Sequence, residues 1–305
     1  MPARLRQTFP WLCAIVLGVV GFLFPQQATA AAPLFFLSSA VVLGVPHGAC
    51  DPWVSGWLLH RPSRVPFLVA FFLLYLGISF LYLLAWKVVP FAATFFFLLL
   101  TAWHWGTADA SLLFPPGLRW LMFGMGRGLL VMLAPFASHT IEAWQVVTLM
   151  APTAGLAPSP IFFQGLLVLP LVFTLLSSPG WAEWGETFLL LVLLALTPPL
   201  VGVGTYFIAF HAWRHLLRLA ELRDQLTSNL PVHIWLSSLG RLLLFAVPLT
   251  LATLALLPAL PRFLDLHPVN PEAWVGSYLI LLAVLTLPHA ILVGWMDWKS
   301  INIKH

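Results

Sequence analysis

The sequence predicts an all-α, polytopic transmembrane helical bundle, and three observations carry that expectation. The chain is 61% hydrophobic and 8% charged, whereas a soluble domain uses about 25% charged residues to cover its surface. Its mean hydropathy is +0.96. Its apolar stretches are long and continuous, unlike the short alternating segments of a transmembrane barrel. The net charge of +4 is small, and its basic residues fall between apolar stretches. That pattern reads as membrane topology and excludes a nucleic-acid footprint. Cys13 and Cys50 lie in apolar stretches and supply neither a disulfide framework nor a Cys-x-x-Cys metal motif.

A spanning helix takes about 20 apolar residues. The first candidate, 9–24, follows Arg4 and Arg6 and precedes Gln26-Gln27-Ala28-Thr29-Ala30-Ala31-Ala32. It reads either as a cleavable secretory signal or as a first transmembrane helix with its basic end in the cytoplasm. The second, 34–59, is interrupted by Gly44, Pro46 and Gly48. Arg61-Pro62-Ser63-Arg64 separates it from 66–87, which is followed by 90–112. Pro115-Pro116-Gly117 then leads into 118–137, and Ser178-Pro179-Gly180 separates 160–177 from the long stretch 187–217. Candidates at 237–259 and 275–296 complete a single integral-membrane domain over 1–305, with eight to ten segments and no internal repeat.

Basic residues orient the bundle. Arg4 and Arg6, Arg61 and Arg64, Arg214, Arg218 and Arg223, and Lys299 and Lys304 belong on the cytoplasmic side of a cell membrane, with both termini there. Segments 25–33, 138–160 and 178–186 hold no Lys or Arg and suit the far side. Five candidate spans between Arg64 and Arg214 would put those residues on opposite sides. Either 142–157 enters the membrane or one candidate does not cross.

Ionisable residues at membrane depth are rare and usually functional. Five histidines lie there: His47, His104, His211, His215 and His289. Their segments all run toward the cytoplasmic side, so the imidazoles fall at similar depth. His211 and His215, four apart, share a helix face about 5–6 Å apart and can chelate one ion; the alternative is a helix end snorkelling toward headgroups. Asp51 lies one turn beyond His47, as a hydrogen-bond partner for its ring or as a helix N-cap before Pro52. Asp109, five residues beyond His104, lies about 140° round the helix, so its support of that ring is weaker. His289 follows Pro288, which frees a carbonyl that the histidine or a water could satisfy. His60, His139, His233, His267 and His305 lie in loops or at ends and read as solvated. A cluster of neutral imidazoles suits iron, copper or zinc, with heme ranked lower. The ion's charge favours nearby carboxylates such as Asp51 or Asp109.

At these residues the chain resembles the Brp/Blh family of bacterial and archaeal β-carotene 15,15′-dioxygenases. The matching stretches are Gly44-Val45-Pro46-His47-Gly48-Ala49-Cys50-Asp51, His104-Trp105-Gly106-Thr107-Ala108-Asp109, Tyr206-Phe207-Ile208-Ala209-Phe210-His211-Ala212-Trp213-Arg214-His215 and Leu287-Pro288-His289. They follow the family's order. Cys50, Trp105 and the apolar N-terminal run depart from its pattern. The resemblance implies a helical membrane enzyme whose Fe(2+), held by His47, His104, His211 and His215, cleaves the central double bond of β-carotene with dioxygen to give two retinals. It also implies a functional link to a retinal-binding rhodopsin, and it leaves the role of His289 open.

A bilayer-soluble polyene about 30 Å long needs an apolar tunnel past the metal. Trp103, Trp105, Phe207, Phe210 and Trp213 adjoin the histidines and are candidate walls. Three other readings compete. One is a different metal-dependent membrane lipid oxygenase or desaturase. Another is a metal transporter, which should spread polar residues over several depths. The third is a structural factor tied together by histidines.

Overall fold

The computed structural model describes residues 3–59, 64–266 and 270–302. His60, His267 and His305, and the topology residues Arg61 and Lys304, lie outside them. The described chain is all-α. Helices α1 (Ala3–Leu23) and α2 (Pro25–Ser39) precede a π-helical turn at Ala40–Gly44, then α3 (Val45–Gly48) and α4 (Asp51–Leu58). The long helices α5 (Val65–Val88), α6 (Pro90–Ala110) and α7 (Leu118–Ser138) lead to the short α8 (Thr140–Met150). Next come α9 (Pro160–Ser177), α10 (Trp181–Leu196) and α11 (Pro199–Thr205), then a second π-helical turn at Tyr206–Ala212 and α12 (Trp213–Asp224). The chain closes with α13 (Val232–Ala255), α14 (Ala259–Phe263) and α15 (Pro271–Asn302).

Eight helical stretches among the described residues are long and apolar enough to cross a membrane. Proline opens several elements, including α5, α6, α9 and α11, because the first turn has no use for the missing N–H. Segment 25–33, expected as a loop, is instead the first part of α2, which continues through α3 and α4 as one apolar stretch, Pro25–Leu58. Its alanines favour helix. Helices α6, α7 and α15 bury 56%, 61% and 56% of their apolar windows, whereas α5 buries 11% and the α13–α14 span 17%. The first three therefore form the interior, and the last two face outward.

The stretch 187–217 is not one span. Thr197 is extended, and Pro198 and Pro199 break the helix there. The chain then reverses. Glu186 at the start of α10 touches Arg214 on α12, while the carbonyls of Leu194 and Ala195 are held at the opposite end by Ser138 and His139. Setting aside the short α8 and counting α11 to α12 as one arm, six helical arms separate Arg64 from Arg214, which puts both at the same end. Segment 178–186 belongs to that end too, with Arg6, Arg119 and Arg214, not to the far side. Helix α8, from the doubtful stretch 142–157, buries Ala143, Val147 and Met150 against the interior.

Glycines set the closest crossing. A Cβ at Gly106 on α6 would lie 1.8 Å from the Gly124 carbonyl oxygen, and one at Gly128 would lie 1.7 Å from that of Ala102. Small residues four apart let two apolar helices meet backbone to backbone, where lipid gives no hydrophobic drive for association. That contact fixes the depth of His104, two residues from Gly106.

Candidate metal centre

Five histidines from four parts of the chain converge on one buried point. His47 sits on α3 directly after the first π-helical turn, and His211 lies within the second. His104 is on α6, His215 on α12 and His289 on α15. Local widening to a π turn recurs at functional sites because it redirects side chains that an α-helix would carry past the target. Ring centroids are 5.3 Å apart for His47 and His211, 5.7 Å for His47 and His215, and 4.7 Å for His104 and His211. His289 lies 5.0 Å from His47, 5.0 Å from His104 and 5.4 Å from His215. Candidate ligand nitrogens of His47, His211 and His289 all lie within 4.8 Å of one another. The His211 and His215 rings are parallel, 9° between planes and 6.5 Å apart, as residues on one helix face.

The nitrogens of this cluster are short of partners. Both ring nitrogens of His211 and of His215, and Nε2 of His104 and His289, are buried with no hydrogen bond from the protein. Each such orphan costs about 1–3 kcal/mol unless something fills its lone pair or accepts its proton. A metal ion does the former for several at once, so the residues present fit one.

Two carboxylates expected near the site take different roles. Asp51 opens α4 but caps nothing. Its oxygens accept from His289 Nδ1 at 3.0 and 2.9 Å and from the Tyr75 hydroxyl at 3.1 Å. The partner is thus His289, on the last helix, and not the sequence-adjacent His47, whose Nδ1 faces the Leu43 carbonyl at 3.3 Å. His289 is therefore not spent on a carbonyl freed by Pro288. Asp109 supports no histidine. It accepts from Arg214 Nη1 at 2.9 Å and from the Tyr206 hydroxyl at 2.9 Å. Arg214 also grips Glu186 at 3.1 and 2.6 Å, and Trp11 Nε1 donates to the same carboxylate at 2.8 Å. This buried network clamps α12 one residue before His215.

Two cavities flank the cluster. One is lined by Phe97, Trp105, Phe136, Ala143, Val147 and Phe207 among other apolar side chains, none of them exposed. The other is faced by His47, His289, Asp51 and Tyr75, and its rim includes the exposed Leu76 on α5 and Leu256 beyond α13. Leu282 lines both. Phe207 lines the first and presses on Gly44 of the second, where an added Cβ would meet the Phe207 ring at 2.7 Å. Leu282 and Phe207 thus form a partition beside the histidines.

Of the five aromatics expected along a tunnel, Trp105 and Phe207 line the first cavity and stack at 5.4 Å. Trp103, Phe210 and Trp213 line neither. Phe210 stacks on Tyr206 under Arg214, Trp213 packs on Phe9, and Trp103 lies near Gly294 on α15. Tyr75, Leu282 and Glu186 are site or supporting residues that the sequence reading missed. Tyr75 left one signal, a hydroxyl in the middle of a strongly apolar run.

Residues 38–297 match the family described as Beta-carotene 15,15'-dioxygenase. The chain is 32% identical over 295 residues to the "Probable beta-carotene 15,15'-dioxygenase Blh" of Halobacterium salinarum, covering 87% of this chain and 84% of that one. It is 27% identical over 269 residues to the "Beta-carotene 15,15'-dioxygenase" of an uncultured marine bacterium, 66A03, covering 85% and 92%. No solved structure matches.

Proposed function

The chain belongs to the beta-carotene 15,15′-dioxygenase family, and from that premise we propose that it cleaves the central double bond of β-carotene with dioxygen to give two retinals, using Fe(2+). One observation carries the metal reading: five buried histidines converge, and four of them, His104, His211, His215 and His289, hold buried ring nitrogens with no protein partner. His47, His104, His211 and His215 are the residues that would hold the ion through their imidazole nitrogens. When bound, the metal supplies the activation of dioxygen.

The protein's own contribution is position and dryness. One carbon–carbon double bond breaks and two carbonyls form, with one oxygen atom of dioxygen in each, so no side-chain acid or base is called for. The polyene lies across the partition, one half in the apolar cavity lined by Trp105 and Phe207 and the other in the cavity whose rim lies between α5 and α13. The bond held beside the histidines is the bond cut, because fixed proximity decides which bond reacts. Trp105 and Phe207 support the polyene on their side. A bilayer-soluble substrate reaches the outer cavity from the lipid, consistent with a cell-membrane protein whose basic ends, including both termini, face the cytoplasm. The retinal product makes a retinal-binding rhodopsin the natural functional companion.

The test is chromatography of extracts from β-carotene-producing bacteria expressing the chain, beside a His211→Ala control. Retinal from the wild type alone is the expected result. Intact carotene in both, with the protein folded and iron supplied, overturns the β-carotene assignment.

A further inference from the structure

We propose that His289 is a metal ligand, and that Asp51 and Tyr75 are positioning residues that hold it. This rests on reading the histidine cluster as a metal site. His289 sits at the centre of the cluster together with His47: its ring lies within 5.4 Å of those of His47, His104 and His215, and its ligand nitrogen groups with those of His47 and His211. Its Nδ1 donates to both oxygens of Asp51, which fixes the tautomer and leaves Nε2 as a bare lone pair. That Nε2 is buried and has no protein partner.

The charge of Asp51 points the same way. Four carboxylates among the described residues are buried: Asp51, Asp109, Glu186 and Asp297. Asp109 and Glu186 are paired with Arg214, and Asp297 with Arg218. Asp51, 1% exposed, has only His289 and Tyr75. Unlike the other three, Asp51 has no arginine or lysine partner, and a buried carboxylate without a permanently charged partner is costly. A dipositive ion on the far nitrogen of His289 supplies the missing positive charge through the imidazole, the arrangement in which a carboxylate raises a ligand's basicity and sets its orientation.

Tyr75 completes the arm. Its hydroxyl is shared between Asp51 Oδ2 at 3.1 Å and the Leu285 carbonyl at 3.2 Å. Leu285 lies one turn before His289 on α15, so Tyr75 ties α5, α4 and α15 together at the ring. It does so from the outward-facing helix, in the wall of the cavity whose rim lies between α5 and α13.

The experiment uses the full chain in detergent, stripped of metal and titrated with Co(2+) alone as a spectroscopic probe. Asp51→Asn is expected to weaken Co(2+) binding about 10- to 100-fold and to alter the ligand-field absorption. Tyr75→Phe should shift both in the same direction by less, and Asp51→Glu should recover part of the loss. Metal-free thermal unfolding of Tyr75→Phe, a near-isosteric change, should stay close to wild type. Unchanged cobalt affinity and spectrum in both Asp51→Asn and Tyr75→Phe would overturn the proposal and leave a purely structural contact. Should Asp51→Asn not fold, Tyr75→Phe decides alone. A folded wild type that takes up no cobalt removes the metal reading and this proposal together. Normal cobalt ratios with no retinal in the carotene assay leave this proposal standing and sink the substrate assignment instead.

Discussion

His47 and His211 meet edge to face, with ring centroids 5.3 Å apart and planes at 87°. Each owes its aim to a π-helical turn, one ending at Gly44 and the other spanning Tyr206–Ala212. Replacing either histidine by Ala is expected to lower retinal yield by more than about 100-fold, beyond the loss typical of a residue that only supports a ligand. Metal content of the purified variants, read by elemental analysis, should fall in parallel. Chelation should silence the wild type, and ferrous salt should restore it. Full activity after exhaustive chelation would rule out a metal role.

Filling the apolar cavity beside Trp105 and Phe207 should separate substrate binding from metal binding. Ala143 on α8 is 4% exposed and lines that cavity away from the histidines. Ala143→Phe places a ring in the space assigned to half of the polyene. Retinal yield should fall about 10-fold or more, an energy of about 1.4 kcal/mol or above, with cobalt affinity unchanged. Undiminished turnover would exclude that cavity as a half-site.

The Arg214 clamp should matter to stability more than its position near the surface end suggests. Arg214→Met leaves the buried carboxylates of Asp109 and Glu186 without their main partner, an effect of about 3–5 kcal/mol. Arg214→Lys keeps the charge but loses the two-point grip on Glu186, so it should fall between. Thermal unfolding in detergent measures both, and a Met variant as stable as wild type would refute the clamp.

The glycine crossing predicts a contrast between two Gly→Ala changes. At Gly106 the new Cβ would lie 1.8 Å from a backbone oxygen of α7, so the helices must separate. Folded yield should drop sharply, and His104 should be displaced with α6. At Gly77 on α5 nothing lies within 4 Å, and Ala should be neutral or stabilising by up to about 1 kcal/mol. Similar behaviour of the two variants would mean that the close approach does not hold the bundle together.

Outside the apolar spans, Asp224 at the end of α12 accepts from Arg223, Ser238 and Arg241. The hydrogen bonds, that from Arg223 foremost, hold its carboxyl well below the ordinary range. A carboxyl lowered by folding stabilises the protein above its unfolded value, about 3.9, and that contribution is lost as pH falls through the folded value. Asp224→Asn should therefore unfold at a lower temperature than wild type near pH 7, with the gap narrowing below about pH 4. A gap that persists unchanged at acid pH would contradict the assignment.

The sequence made much of the architecture legible, because apolar length is a local property and each long run writes itself out in consecutive residues. The convergence of His47, His104, His211 and His215 could also be anticipated, from membrane depth alone. What escaped were relationships between distant residues. Asp51 lies four positions from His47, and helical spacing favoured that pair, yet it serves His289, 238 positions away. Glu186 carried no basic neighbour in sequence, and only the reversal at Pro198 and Pro199 brings it to Arg214 and places its segment at the basic end. Trp213 and Phe210 flank His211 in sequence but point away from both cavities, since neighbours on a helix diverge by about 100° per residue.

None of the side chains lining the apolar cavity beside Trp105 and Phe207 is exposed, while its counterpart has the exposed Leu76 and Leu256 at its rim. Under the proposed reaction, the twin aldehydes are chemically identical yet part from the protein unequally. One slides straight into the lipid. The other leaves from among side chains that are all at least half buried, on the far side of Leu282 and Phe207. Release is then ordered in time, and the slower departure sets when the next polyene can thread.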